Sequence, residues 1–232
     1  MKGTAGVPVR LKYTKVGKIR WIGHRDVARA MERAFRITQL PLAMTEGFSP
    51  HPKVSFGLAL STGHESDGEY LDLVLTDDVD LDALHAPLTE ALPEGMAVVA
   101  TAYLVDRAPA LQEAVTAVSW QVEIAPVADA ADRIASGLAS ESLETMRRRK
   151  GRDVVENVRP VIRDLRLAND TTVEMQLNTQ PRSAKPGDVL AAIGGLTEVR
   201  ALRTHQWIER DGARREPLDA DTRPHPELTG VS

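Results

Sequence analysis

Four arginines near the start of the chain recur at a spacing that would gather them on one side of a helix. They are Arg25, Arg29, Arg33 and Arg36. At 100° per residue, this spacing places all four side chains within roughly 80° of one another. Phosphate recognition needs such a face, because each neutralised phosphate releases counterions and adds affinity that does not depend on sequence. The pattern therefore predicts a helix over about residues 25–38 with a cationic, phosphate-binding face.

Three further cations precede this helix in a predicted strand and turn, namely Lys12, Lys18 and Arg20. We expect them to extend the cationic face. Glu32 lies within the arginine stripe and can pair with its helical neighbours. A solvated helix face that binds nothing therefore stays an open alternative.

A second unusual segment is Glu46-Gly47-Phe48-Ser49-Pro50-His51-Pro52-Lys53. Two prolines fix the backbone on both sides of His51, so its imidazole is presented with little loss of entropy. Gly47 can adopt a positive φ, and Lys53 adds a cation. Such a rigid loop, with Phe48 and Ser49 at its centre, suits the positioning of a substrate or a partner peptide. A tight structural connection between two strands is the alternative.

Acid–base chemistry is a further possibility. His51, Lys53 and Glu69 are residue types that transfer protons near neutral pH. His24 adds another imidazole, but no spacing such as H-x-x-x-H joins the histidines, and we expect no metal site. The sequence also lacks the phosphate-binding, dinucleotide-binding and hydrolase motifs that have fixed spacing.

A third basic segment lies near the middle of the chain, at Arg147-Arg148-Arg149-Lys150-Gly151-Arg152. Five positive charges around one glycine predict the tip of a β-hairpin, with Lys150 and Gly151 near the turn. Such a tip could reach into a nucleic-acid groove. It could equally be a solvated turn whose charge prevents aggregation.

The charges of the chain are unevenly distributed. Residues 1–53 carry eleven Lys or Arg against three Asp or Glu, and residues 54–145 carry two against seventeen. The remaining residues carry sixteen against thirteen, so the formal net charge is only −4. The N-terminal block has the composition of an anion-binding surface. Neutralisation of the basic block by the acidic block across the fold is the alternative.

The 232 residues include no cysteine. This excludes disulfides, thiolate zinc sites and an iron–sulfur cluster held by thiolates of these residues. No run of 18 apolar residues predicts a membrane span, and the first residues do not resemble a secretory leader. We therefore expect a cytoplasmic protein.

The elements that must position these segments suggest an α+β fold. Strand and helix patterns occur in the order βαββαβ, and a similar order repeats in the second half. We predict two tandem ferredoxin-like (split βαβ) modules with antiparallel sheets, over residues 7–104 and 116–210. Residues 105–115 would link them, and residues 217–232 would form a disordered tail.

The segment from Ile19 to Leu75 resembles a known family. The most diagnostic pieces are His24-x-Asp26 at the start of the arginine helix, the loop at residues 46–53, and Glu65-Ser66 followed by Glu69-Tyr70-Leu71-Asp72. In these pieces the chain is similar to the bacterial radical SAM-linked proteins, a domain of unknown function.

The resemblance implies a partnership with a B12-binding radical SAM protein. That partner would carry the iron–sulfur cluster, S-adenosylmethionine and B12, while this chain would bind no cofactor. Radical SAM chemistry needs three cluster-holding cysteines, which this chain lacks. We therefore predict a non-catalytic recognition or scaffold subunit that binds RNA. Two alternatives stay open: a protein–protein interaction module without nucleic acid, and a cysteine-free acid–base enzyme.

Overall fold

A computed structural model of the chain describes residues 6–149 and 151–224. Within these ranges the fold is α+β, and no helix is both long and apolar enough to cross a membrane. The strands are β1 (Val7–Lys15), β2 (Val54–Phe56), β3 (Glu65–Leu75), β4 (Met96–Leu104), β5 (Ala117–Ile124), β6 (Glu144–Arg149), β7 (Arg152–Asn157), β8 (Ile162–Asn169), β9 (Thr172–Asn178), β10 (Glu198–Arg210), β11 (Ala213–Arg215) and β12 (Thr222–Arg223). The helices are α1 (His24–Ile37), α2 (His85–Ala91), α3 (Leu111–Ala114), α4 (Ala130–Ala139) and α5 (Pro186–Ala192).

Helix α1 follows the predicted arginine helix to within one residue at each end. Its buried residues are Val27, Met31, Ala34 and Phe35, which recur at helical spacing and pack against the sheet. Pro41 disfavours helical backbone in the residue before it, and the helix has ended by Ile37. The burial of this apolar stripe leaves the opposite side of α1 to solvent.

The α+β class is as predicted, but the strands of the two predicted modules do not form two sheets, because ten strands form one continuous sheet. Eight of them follow the order β12-β4-β1-β3-β10-β5-β9-β8, with β2 also on β3 and β11 also on β10. The two halves meet where β10 pairs in parallel with β3, with Leu202 opposite Glu65 and Arg203 opposite Ser66. Strand β2 is only three residues long and pairs with the far end of β3, so part of that edge is free for β10.

Each half contributes strands in a related order, and within each half all neighbours are antiparallel. The first half reads β4-β1-β3-β2, with α1 and α2 as connections. The second half reads β10-β5-β9-β8, with α4 and α5 as connections and the hairpin β6–β7 inserted after α4.

Two apolar clusters underlie the sheet, one in each half. The first contains Leu11, Met31 and Phe35, and the second contains Trp120 and Val122. The segment predicted as a linker is partly structural, since α3 buries its apolar residues in the second cluster. The clusters therefore place α1 on the first half of the sheet and α4 and α5 on the second.

Residues 217–224 are ordered, which corrects the prediction of a disordered tail in this part of the chain. Residues 217–219 form a 3-10 helix, and β12 pairs with β4. The fully buried Arg10 donates hydrogen bonds to both carboxylate oxygens of Asp72 at 2.7 and 2.8 Å. It also donates to the carbonyl oxygen of Pro217 at 3.0 Å. A buried guanidinium requires such hydrogen-bond acceptors. The rest of the predicted tail, residues 225–232, lies outside the described residues.

Candidate functional site

The four predicted arginines of α1 all lie on its solvent-exposed side. Arg29 forms an exposed ion pair with Asp26 at 3.4 Å. Within residues 6–149 and 151–224, Arg25, Arg33 and Arg36 have no ion-pair or hydrogen-bond partner on another side chain. At 1.5 Å per residue the stripe is about 16 Å long. Most of its charge is therefore available to an external anion.

The loop after α1 is closed at its base and open at its tip. The Thr45 amide donates to the carbonyl oxygen of His51 at 2.8 Å, and the His51 amide donates to Oγ1 of Thr45 at 3.0 Å. Gly47 has a φ of +128°, as its predicted role requires. Phe48 is fully exposed, and Ser49, His51 and Lys53 are also exposed. The loop thus projects an aromatic ring from a fixed base.

A groove of about 430 Å³ brings the helix and the loop together. Phe35 and Arg36 line it from α1, while Met44 and Pro52 line it from the base of the loop. Met44 is partly exposed, and so is the nearby helical residue Ile37. The arginine helix and the proline loop, which adjoin in sequence, therefore form one continuous surface that we call the α1–loop surface (residues 17–53).

The three other predicted cations have different positions. Lys18 and Arg20 lie in a 3-10 helix directly before α1, where Arg20 packs over the ring of the exposed Trp21 at 5.2 Å. The prediction that Lys12 extends the cationic face of the arginine helix is wrong. Side chains alternate along β1, so Lys12 points away from α1 and forms an ion pair with Glu216 at 3.0 Å.

A buried ionic cluster lies where the halves join. Arg203, only 5% exposed, donates to both carboxylate oxygens of Glu69 at 3.0 and 3.3 Å. Arg203 also donates to the backbone carbonyls of Leu58 and Ala59. Lys15, on the same side of β1 as α1, donates to two carbonyls of the segment before that helix. These contacts hold β10 to β3 and to the segment after β2, and they hold β1 to the segment before α1.

Burial raises the pKa of Glu69, and Arg203 is the largest influence that opposes the rise. Burial also lowers the pKa of Lys15 and raises that of Tyr13. The desolvation of these groups favours their neutral forms. For Glu69, the neighbouring Arg203 is the main influence that favours the charged form.

Glu65 ties the segment before α1 to the second half of the molecule. Its fully buried carboxylate accepts a hydrogen bond from the Gly17 amide at 2.6 Å and forms an ion pair with Arg200 of β10. Arg20 lies 3.6 Å from the same carboxylate. One carboxylate thus sets the position of the 3-10 helix from which Trp21 and α1 follow.

The residues of the acid–base alternative do not converge. His24 and Glu69 line one cavity of about 10 Å³, the size of a single water, together with Tyr13 and Lys15. Neither His51 nor Lys53 lines that cavity, because both are exposed on the loop that leads to β2. Among the described residues, no group of three or more acidic or histidine side chains is placed to hold a metal ion.

The basic segment in the middle of the chain forms the predicted hairpin, β6–β7, with Arg149 opposite Arg152. Arg148 is exposed, as a ligand-binding tip requires. Arg147 is not free, because it forms ion pairs with Glu156 at 3.0 Å and with Asp188 at 3.1 Å. The side chain of Arg149 and the whole of Lys150 lie outside the described residues.

Residues 9–186 match the model of a bacterial family described as "Uncharacterized protein conserved in bacteria (DUF2344)". The chain belongs to this family. The matched residues contain α1, the proline loop, Glu69 and the basic hairpin, but they end before β10 and Arg203. The partner residue of the buried Glu69 therefore comes from outside the family match. No curated protein matches the chain.

The fold is similar to a solved structure titled "Crystal Structure of a Cbf5-Nop10-Gar1 Complex". The similarity has a TM-score of 0.47 and 8% sequence identity, and it covers 85% of this chain. The chain spans about half of the chain that it matches, 48% of its length.

Sequence reasoning missed the contribution of the second half. Trp120 and Arg203 are both 5% exposed, and Arg203 packs over the Trp120 ring at 5.0 Å. His64 is buried beside them and contacts Glu198 at 3.0 Å. An arginine in a strand, such as Arg203 in β10, is expected to be solvent-exposed. Arg203 is buried because β10 pairs with β3. No sequence pattern predicts that pairing.

Proposed function

We propose that this protein is a recognition subunit that binds RNA through the α1–loop surface. The observation that supports it is the exposed stripe in which Arg25, Arg33 and Arg36 have no partner in residues 6–149 and 151–224. Exposed guanidinium groups on one helix face bind successive phosphates and release their counterions.

Two exposed aromatic residues support a single-stranded RNA. Trp21 lies three residues before α1, and Phe48 lies on the loop whose base borders the C-terminal half of the helix. Bases of unpaired nucleotides stack on such rings whatever their sequence. The arginine stripe would hold the backbone, and the two rings would stack bases near its ends.

The decisive experiment is a titration with single-stranded RNA across salt concentrations. If all four arginines contact phosphates, log K falls with log salt with a slope of about −3. Replacing two of them in Arg33→Glu with Arg36→Glu should weaken binding at least tenfold and reduce the slope by about 1.4.

A matched control carries the same change of net charge elsewhere. Arg107 and Arg215 are exposed and lie outside the α1–loop surface. Arg107→Glu with Arg215→Glu should keep most of the affinity. Equal losses of RNA affinity in the two double variants would mean that only the net charge matters. Weak binding by the unaltered protein at 50 mM salt would exclude RNA as the ligand.

We also propose that the protein acts beside a B12-binding radical SAM enzyme that supplies the cluster, S-adenosylmethionine and B12. The resemblance of residues 19–75 and the absence of cysteine support this division of labour. Co-purification of the two proteins tests it. Loss of the complex in Phe48→Ala or His51→Ala would assign the loop to protein docking; an RNA titration of the same variants separates the two roles.

For the fold, we propose that each half is a ferredoxin-like module. The strand orders β4-β1-β3-β2 and β10-β5-β9-β8, with antiparallel neighbours in each half, support this interpretation.

A further inference from the structure

A second cavity, of about 310 Å³, lies beside the junction of the halves, and no residue of the α1–loop surface lines it. His64 and Ser61 line it from the first half of the chain, and Trp120 and Arg203 line it from the second half. Its volume lies at the lower end of the range for sites that bind small molecules. The cavity exists only because β10 pairs with β3.

The wall of this junction cavity has one sign of charge. Its charged residues are Arg147, Lys185 and Arg203, and none of the described residues that line it is acidic. The carboxylates that pair with Arg147 and Arg203 lie outside the wall. Lys185 is exposed and forms no ion pair with a described residue. Among the described residues that line the cavity, Lys185 is therefore the cation whose charge is not already balanced by a carboxylate.

Two buried nitrogen atoms of the wall residues lack an acceptor. They are Nε1 of Trp120 and Nε of Arg203, which have no hydrogen-bond partner among the described residues. Buried donors are almost always paired in folded proteins, so these two call for an explanation. A bound molecule that accepts hydrogen bonds from these nitrogen atoms would explain why both lack a partner within the protein. The Trp120 ring, with the His64 ring edge-on at 5.3 Å, adds a flat apolar surface.

We propose that the junction cavity binds a small aromatic anion, in which a carboxylate or a phosphate is joined to an aromatic or heteroaromatic ring directly or through a sugar. The ring packs beside Trp120, and the anion is held by Lys185, the lining cation without an ion-pair partner among the described residues. Arg203 keeps its ion pair with Glu69 and donates a hydrogen bond from its Nε to the ligand. This site is independent of the α1–loop surface, and either proposal can fail without the other.

Calorimetric titration with four probes tests the ligand chemistry. The probes are benzoate, AMP, benzamidine and inorganic phosphate. We expect benzoate or AMP to bind one to one with a dissociation constant below about 1 mM. Benzamidine, which has the same ring as benzoate but the opposite charge, should bind at least tenfold more weakly, and so should phosphate alone. Preference for AMP identifies a phosphate ligand, and preference for benzoate a carboxylate ligand.

Variants locate the site. Lys185→Gln removes an exposed cation without touching the core and should weaken binding of the preferred probe about tenfold. Arg107→Gln, an exposed cation on the wall of a different cavity, should leave binding unchanged. The proposal is overturned if neither benzoate nor AMP binds, if benzamidine or phosphate binds as tightly as they do, or if Lys185→Gln has no effect. Loss of AMP binding in Arg33→Glu with Arg36→Glu, with none in Lys185→Gln, would also overturn it.

Discussion

The junction of β3 with β10 and the exposed side of α1 are both rich in arginine, yet the two regions differ in what surrounds the charge. At the junction, Arg203 is almost fully buried and is paired with Glu69 and two backbone carbonyls. On α1, Arg33 and Arg36 reach solvent without a partner among the described residues. A buried charge must be paired, so the junction arginine maintains the structure. An exposed charge contributes little to stability and is free for a ligand.

The largest effect should follow from breaking the buried pair. Arg203→Met leaves the carboxylate of Glu69 buried and uncompensated, so we expect the free energy of unfolding to fall by about 3–5 kcal/mol. Urea denaturation measures it. A loss below about 1 kcal/mol would mean that water reaches Glu69 and that the junction is not distinct from the surface.

The double variant Arg203→Met with Glu69→Leu sharpens the same comparison. With both charges removed, no unpaired group stays buried, and we expect at least half of the lost stability to return. A double-mutant cycle in urea gives the coupling free energy. Additive losses would show that the two side chains stabilise the fold through separate contacts.

The pH dependence of stability should also distinguish the two regions. Burial raises the pKa of Glu69 above its ordinary value of 4.5, so the folded state binds this proton more tightly than the unfolded state. The stability from this group is therefore fully present below pH 4.5 and declines as the pH rises through the folded pKa.

The comparison with Glu69→Gln isolates this contribution. As the pH falls from about 8 to about 5, the free energy of unfolding of the unaltered protein should rise relative to that of Glu69→Gln. Parallel curves would show that the ion pair with Arg203 balances the burial of Glu69, and a relative fall would show that the ion pair outweighs it.

The smallest effect on stability should come from α1. Arg36→Ala removes an exposed side chain, and we expect the free energy of unfolding to change by less than about 0.5 kcal/mol. RNA affinity of the same variant should fall severalfold, since one phosphate contact is lost. A large loss of stability would place Arg36 in the packing of the groove.

Local patterns in the sequence were sufficient for several elements. The spacing of the four arginines predicted the helix and their common side, because helical geometry fixes which residues share a side. The glycine between two basic runs predicted the hairpin β6–β7. The prolines around His51 predicted a rigid loop that presents its imidazole, and His51 is exposed in the structure. These predictions succeeded because each depends on residues that are close in sequence.

The alternation along β1 predicted a strand but not the use of its two faces. Lys12 was placed with the arginines, although alternation directs it to the other side of the sheet, where Glu216 pairs with it. Likewise, the polar composition of residues 217–224 suggested disorder, but the buried Arg10 holds them in place. In both cases the partner lies about 200 residues away, so no local pattern could identify it.

By itself, the sequence determined where the exposed charge of α1 lies, and it excluded a cluster held by cysteine thiolates of this chain. Only the tertiary structure decided that the halves share one sheet and that a cavity opens beside Trp120. It also decided that Glu69 forms its ion pair with Arg203 and does not act together with His51. The physical reason is that parallel pairing of β3 with β10 joins residues separated by more than 130 positions. Such pairing depends on which sheet edge is left free, and that is a property of the assembled fold.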